Sequence, residues 1–332
     1  MRRRRLLRVL PAASLPSVVP PAGAARAQSA APFAFDHAVR LIIPFAPGGT
    51  SDILARLLAP ELSRAFGQNV VVENRSGASG NLGADLVAKA PPDGHTALLI
   101  DAGILATAPS LFTRLPFDPK RDLQPATMLI FAPYILAAHP SLPVRDAAEL
   151  AAFAKAQPAK VDVAHSGIGA ANHLTALLLA QHWGADGATM VPYRGGSAAL
   201  AAAASGEANL IVNGATATQP FVQNGTLRGI AVSGSHRLAA FPDLPTFAEL
   251  GWPAVDSGTW QGALLPGASP APVVARWEAE LRAALARPEM ARRIAELGGE
   301  VRTDGAAAFR AWLDSETENW GRVVRANGIK LD

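Results

Sequence analysis

The chain of 332 residues contains no cysteine. That excludes a disulfide framework, a thiolate metal site and a cysteine nucleophile. Seven histidines are present, and His165, His173 and His182 lack the i, i+4 spacing that places two metal ligands on one helix face. A lone histidine at a strand end or helix start is more often a hydrogen-bonded structural group. Beyond position 27, no apolar run reaches the roughly 18 residues of a membrane span. The alanine-rich stretch 198–204 is too short and is soon followed by Glu207. Motifs for nucleotides and acyl transfer are also missing. There is no G-x-x-x-x-G-K, and Gly77, Gly80 and Gly83 have the wrong spacing for a dinucleotide turn. Ser166 precedes Gly167, but Ala164 stands where a nucleophile elbow needs its first glycine. No cofactor, metal or catalytic residue is therefore expected.

Basic charge is scarce once the first residues are set aside. Arg2, Arg3, Arg4, Arg5 and Arg8 form a basic start, a moderately apolar stretch follows, and Ala25, Arg26 and Ala27 make a small-x-small pattern. Residues 1–27 read as a secretory signal peptide, although four prolines interrupt the apolar part and a disordered leader or a misassigned start codon is the other reading. The whole chain carries 30 basic and 27 acidic side chains, a net charge of +3. Six of the arginines lie in the leader, so the remainder has 24 against 27 and a net charge of −3. No basic stripe is left to track nucleic acid. Roughly 300 residues follow the leader, enough for a large core in two lobes.

What is present begins at residues 39–62. Residues 39–45 have the length and β-branched content of a buried strand. Pro47, Gly48 and Gly49 make a turn, and Thr50, Ser51 and Asp52 are all good helix N-cap residues. Ile53, Leu54, Leu57, Leu58 and Leu62 then trace the 3.6-residue stripe of a helix. The first amides of a helix have no internal acceptor and its dipole favours negative charge there, so this turn suits a carboxylate or phosphate. It could equally be an ordinary capped strand-to-helix turn.

The same grammar recurs. Strands are expected at 70–73, 96–100, 128–138, 161–164, 189–193, 209–212, 227–232 and 260–265, with helices between most of them. Beyond 265 the chain reads as helical, with amphipathic segments near 271–286, 288–297 and 306–326. Four glycine-rich turns, at 47–52, 76–83, 166–172 and 194–197, join a strand to a helix. Such turns at the carboxyl ends of parallel strands line a ligand crevice. Two fall in each half of the chain, so several helix N-termini could face one cleft.

The segments PFAPGGTSDILAR at 44–56, VVENRSGASGNLG at 71–83 and DGHT at 93–96 resemble the Bug (Bordetella uptake gene) family, the solute receptors of tripartite tricarboxylate transporters. The likeness continues through LPFD at 115–118, VPYRGG at 191–196, PDLPT at 242–246, ELG at 249–251 and residues 260–266. It implies an α/β type II periplasmic-binding-protein fold, two α/β lobes joined by two crossover strands near 128–138 and 259–265. Residues 36–136 and 256–332 would form lobe 1, and 137–255 lobe 2. The implied protein is a monomeric periplasmic receptor that captures a small organic carboxylate between the lobes and delivers it to membrane permease subunits. The competing reading is an α/β enzyme acting on a carboxylated substrate.

The resemblance implies that the first turn holds the ligand carboxylate, and with the four turns it sets the expected ligand contacts: Phe45, Gly48, Gly49, Thr50, Ser51, Asp52, Ser79, Asp101, Ser166, Gly167, Asn172, Tyr193, Arg194, Gly195 and Asn213. Asp52 would either brace the turn or accept from the ligand. Arg194 would pair with a second ligand carboxylate or stay solvated. Three positions depart from the family pattern. Asp101 stands where small hydroxylated or glycine residues are frequent, Ala170 where a hydroxyl is frequent, and Asn213 where an acid is common. Asp101 would either border the cleft, disfavouring a second ligand carboxylate, or only cap the following helix.

Overall fold

A computed structural model of the protein describes residues 33–253 and 257–330. The 1–27 leader and the expected lobe boundary at 255/256 lie outside these residues.

In chain order the elements are β1 (Val39–Ile43), α1 (Thr50–Phe66), β2 (Val70–Asn74), α2 (Asn81–Ala88), β3 (Thr96–Asp101), α3 (Ala102–Leu111) and β4 (Leu123–Ala138). There follow α4 (Ala147–Ala156), β5 (Asp162–His165), α5 (Ala171–Trp183), β6 (Thr189–Pro192), α6 (Gly196–Ser205), β7 (Leu210–Gly214), α7 (Ala215–Gln223) and β8 (Arg228–Val232). The chain then runs through β9 (Gly258–Pro266), α8 (Ala271–Leu285), α9 (Pro288–Glu296), β10 (Glu300–Val301) and α10 (Ala306–Ala326).

The strands lie in the order β2-β1-β3-β9-β4-β7-β5-β6. Two sets are parallel, β2-β1-β3 and β7-β5-β6. Between them β9 and β4 run antiparallel to their neighbours. The sheet is therefore mixed where alternation of strand and helix suggested parallel pairing alone. β4 makes the join: Leu123 to Pro133 pair with β9, and Tyr134 to Ala138 pair with β7. Pro133 has no amide hydrogen, so it sits where one ladder hands over to the other. A register shift between Pro125 and Thr127 bends the same strand earlier. Pro125 hid the first five residues of β4 from the sequence pattern. The helix α7 was also not anticipated, because its sequence is rich in threonine and glutamine and carries Pro220.

Each parallel set is covered on both faces. Around β1 and β3, one face holds Leu54, Leu58 and Leu62 of α1 with Trp277 and Leu281 of α8. Its other face holds Phe309 and Leu313 of α10. Around β5 and β7, Leu150, Leu179 and Trp183 cover one face and Leu200 and Ala203 the other. Leu111, Leu174 and Val324 form a small cluster that ties α3, α5 and α10 together.

Trp277 is fully buried, donates its indole N–H to the Gly94 carbonyl at 3.0 Å and meets the Phe66 ring edge-on at 4.9 Å. Trp277→Ala is expected to cost about 3–5 kcal/mol through lost transfer energy and the cavity left behind. Urea unfolding checks this, and a loss under 1 kcal/mol would contradict the packing described.

Candidate functional site

β1 ends at Ile43, and Pro44 to Gly49 carry the chain to the N-terminus of α1. Gly48 has φ +86°, a left-handed conformation that glycine adopts without steric cost. Gly49 is the N-cap, in extended conformation and with no side chain to cap the helix. The first intrahelical bond runs from the Ile53 amide to the Gly49 carbonyl at 3.0 Å. The amides of Thr50, Ser51 and Asp52 consequently lack an intrahelical acceptor.

This helix end opens on a cavity of about 50 Å³. From the first parallel set the cavity wall takes Phe45, Gly49, Thr50, Ser51, Asp101 and Ile104. From the second it takes Ser166, Asn172, Gly196, Asn213 and Gly214, with Tyr134, Thr259 and Gln261 contributed by β4 and β9. The start of α5 supplies Asn172, Gly196 begins α6 and Gly214 is the N-cap of α7. Several helix N-termini thus face one small space that Lys and Arg do not line, and their dipoles supply its positive potential.

A second, wider chamber of about 440 Å³ adjoins it, sharing Phe45 and Ser166. Ser79, Gly167, Tyr193, Arg194 and Gly195 line this outer space. Here the two sets meet: the Ser79 hydroxyl donates to the Ile168 carbonyl at 3.5 Å. Gly167, at φ +142°, lies so close that a Cβ there would come within 2.8 Å of Ser79 Oγ. Ala78 (φ 47°) and Ser79 (φ 51°) both occupy the left-handed region. Such conformations cost about 1–3 kcal/mol each, and surrounding contacts must hold them.

Gly48 and Asp52 line neither chamber. Their polar groups meet one another. The Gly48 amide donates to Asp52 Oδ2 at 2.9 Å, Arg56 Nε donates to the same oxygen at 3.0 Å, and Asn74 donates to Oδ1 at 3.0 Å. Burial opposes the charge of Asp52, but the bonds from Arg56, Gly48 and Asn74 outweigh it and hold the carboxyl below its ordinary pKa. Asp52 is therefore an ionised brace under the turn.

Asp101 is the N-cap of α3. Its Oδ1 accepts from the Gly103 amide at 3.1 Å, capping α3, and the residue also lines the inner chamber. Burial raises its pKa to about 6, against the opposing hydrogen bonds from the Gly103 amide, the Thr259 hydroxyl and the Trp260 amide. Burial and the charge of Asp101 together push the Tyr134 phenol well above its usual range.

Asn172 accepts from the Ser166 hydroxyl at 2.8 Å and donates to the Val212 carbonyl at 3.0 Å, which fixes the 166–172 turn. Asn213 donates to Thr218 Oγ1 at 3.1 Å. Below the turn His165 and His173 stack at 4.3 Å. Burial depresses both, to about 4 and about 3, so both are neutral. The Gly169 amide donates to His173 Nδ1 at 3.0 Å, which makes this histidine part of the loop's scaffold.

Sequence reasoning missed Ile104, Tyr134, Gly196, Gly214, Thr259 and Gln261. Thr259 and Gln261 left a signal, as polar interruptions of an otherwise apolar strand. Gly214 left none, since a single glycine at a strand end is common.

Two parallel α/β sets flanking a polar cavity at helix N-termini define a periplasmic binding protein fold. The model of the tripartite tricarboxylate transporter family receptor (TctC) matches residues 54–329, and the chain belongs to that family. It is 32% identical to the protein BugT of Bordetella pertussis over 294 residues, covering 88% of this chain and 90% of that one. Among solved structures, the periplasmic binding protein BugD superposes with a TM-score of 0.85 at 33% identity, over 90% of this chain and 100% of that one. Rpa4515 of R. palustris with adipate gives 0.85 at 32% identity, over 89% and 99%. MatC of Rhodopseudomonas palustris with bound malate gives 0.81 at 31%, over 87% and 99%. The protein is thus similar to solute receptors, and among its described residues no helix is long and apolar enough to cross a membrane.

Proposed function

We propose that this protein is a monomeric periplasmic receptor that binds a small organic carboxylate in the two-chambered cleft and presents it to the permease subunits of a tripartite tricarboxylate transporter. One observation carries the reading: the uncapped N-terminus of α1 opens on a chamber lined by polar groups from both parallel sets. A ligand carboxylate accepts from the amides of Thr50 and Ser51, the arrangement that helix ends favour for anions. The adipate and malate bound by Rpa4515 and MatC are carboxylates, which supports the same class here. Catalysis has less support. Ser166 donates to Asn172, and no histidine lines either chamber to serve it as a base.

In this reading residues 36–136 and 256–332 form one lobe and 137–255 the other, with Ser166, Asn172 and Asn213 reaching the ligand from the second. The hinge lies in β4 near Pro133 and in the return to β9. Contacts such as Ser79 to Ile168 belong to the closed form, and ligand binding selects that form because it touches both lobes.

Two measurements test this. Isothermal titration against mono-, di- and tricarboxylates and amino acids should find at least one ligand of this set. Small-angle scattering should then show a smaller radius of gyration with that ligand than without it. A complete absence of carboxylate binding overturns the function, and an unchanged radius in a protein that is open when free overturns the hinge.

A further inference from the structure

Outside both chambers, ligand atoms of Asp36, His37 and His95 lie within 4.8 Å of one another. Positions 36, 37 and 95 form no spacing motif. They meet because β1 and β3 pair in parallel, which lays the residues ahead of each strand side by side. His95 is 7% exposed, with the rings of Phe33 and Phe35 edge-on to it at 6.4 and 5.4 Å. Its amide donates to Asp93 Oδ1 at 2.9 Å, and its Nδ1 lies 3.2 Å from the Asp93 carbonyl oxygen. A carbonyl only accepts, so Nδ1 carries the hydrogen, and in the neutral ring Nε2 carries the lone pair. That Nε2 has no hydrogen-bond partner. It faces Asp36 Oδ1 at 3.1 Å. No hydrogen bond forms at this separation, so the oxygen lies to one side of the direction an N–H would take. A lone pair and a carboxylate oxygen this close are best served by a cation that binds both.

We propose that Asp36, His37 and His95 form a binding site for a divalent transition-metal ion of the zinc class, which clips the segment ahead of β1 to the turn ahead of β3. The spacing suits this: two ligand atoms about 2.1 Å from one ion, roughly at a right angle, lie about 3 Å apart. His95 also gives its other ring nitrogen to a backbone carbonyl, as metal-bound histidines do, which fixes tautomer and ring orientation. His37 stacks on His95 at 3.6 Å with the ring planes 5° apart, and its Nδ1 lies 2.6 Å from Asp36 Oδ1. Parallel rings cannot both aim in-plane lone pairs at one ion. His37 is exposed, so its ring turns out of the stack to bind, while His95 stays where Asp93 and the two phenylalanines hold it. Asp36 is exposed too, and movement of these two side chains opens Nε2 to the ion. Two imidazoles and one carboxylate favour zinc-class ions over magnesium and calcium, which take oxygen ligands. Water fills the fourth position of a tetrahedral ion.

Titration calorimetry of the untagged protein with Zn2+ at pH 7.5 should find one site with a dissociation constant below about 100 μM. Zinc at about tenfold excess over that constant should raise Tm by at least about 2 °C, and EDTA should reverse the shift. Mg2+ at the same concentration should leave Tm unchanged. His37→Ala and Asp36→Asn should each weaken zinc binding at least about tenfold. Both residues are exposed, so these variants keep the fold, and a thermal scan without zinc verifies it. His95→Gln should abolish the site, but it also disturbs the packing of Phe33 and Phe35, so the decision rests on the two exposed variants. Zinc binding weaker than about 100 μM overturns the inference and leaves Asp36 and His95 an ion pair. Tight zinc binding undiminished in both exposed variants overturns it as well, since the ion then sits on other histidines such as His139 or His236. Equal stabilisation by Mg2+ would mean that carboxylates alone hold the ion, and this too overturns the inference.

Discussion

Gly49→Val is expected to abolish ligand binding in a protein that still folds. Gly49 has φ −82° and ψ 170°, an extended conformation open to valine. A Cβ built there meets only the Ala46 carbonyl oxygen, at 3.9 Å, so the fold has room for the side chain. The same residue lines a chamber of only about 50 Å³, beside the free amides of Thr50 and Ser51. Valine's two methyl groups occupy the approach of the carboxylate. Affinity should drop at least about a hundredfold, or roughly 2.7 kcal/mol. The change at the N-cap should cost stability by no more than about 1 kcal/mol. Calorimetric titration together with thermal denaturation separates the two effects. Wild-type affinity in folded Gly49→Val would place the carboxylate elsewhere.

The second large effect concerns Asp52, which holds the turn without lining the cleft. Asp52→Ala removes the acceptor for the Gly48 amide, for Arg56 and for the Asn74 amide together. Asp52 is 3% exposed, so the loss of its bonds is felt in the interior, while Arg56 is solvated and recovers water. A destabilisation of about 2–3 kcal/mol is expected at pH 7. Its pH dependence has a definite sign. The folded pKa lies below the ordinary 3.8, so the stabilisation is present above that value and is lost as the pH falls through the folded pKa. The gap between wild type and Asp52→Ala should therefore narrow below about pH 4. Binding should weaken as well, because Gly48 no longer holds Gly49 and Thr50 in place. Asp52→Asn, which keeps an acceptor for Gly48, should lose less of both. Equal stability of wild type and Asp52→Ala at pH 7 would contradict the bracing role.

These two residues also separate what was legible in the amino-acid order from what was not. A strand, a glycine turn and a helix start are local events. Extended backbone, left-handed Gly48 and the stripe of Leu54, Leu58 and Leu62 need only near neighbours, so residues 39–62 carried their own structure in their pattern. The motifs at 44–56, 71–83 and 191–196 carried the family for the same reason. Which amides point at a ligand was not local. Gly48 and Asp52 look like site residues by position; their polar groups meet each other locally, and Asn74 of β2 adds the bond to the second Asp52 oxygen. Asp101 was readable as a cap or as a cleft residue; in the structure it caps α3 and stands in the wall of the inner cavity. Thr259 and Gln261 are about 160 residues away from Asp101 in sequence. They reach it only because β9 pairs antiparallel with β3, with Gln261 opposite Asp101. Register between distant strands depends on burial and ladder geometry summed over the whole sheet, which no short window of sequence contains. The amino-acid order alone determined the elements, the helix N-terminus and the family; the pairing of β3, β4 and β9 decided which polar groups share the chamber, since that requires strands far apart in the chain to lie side by side.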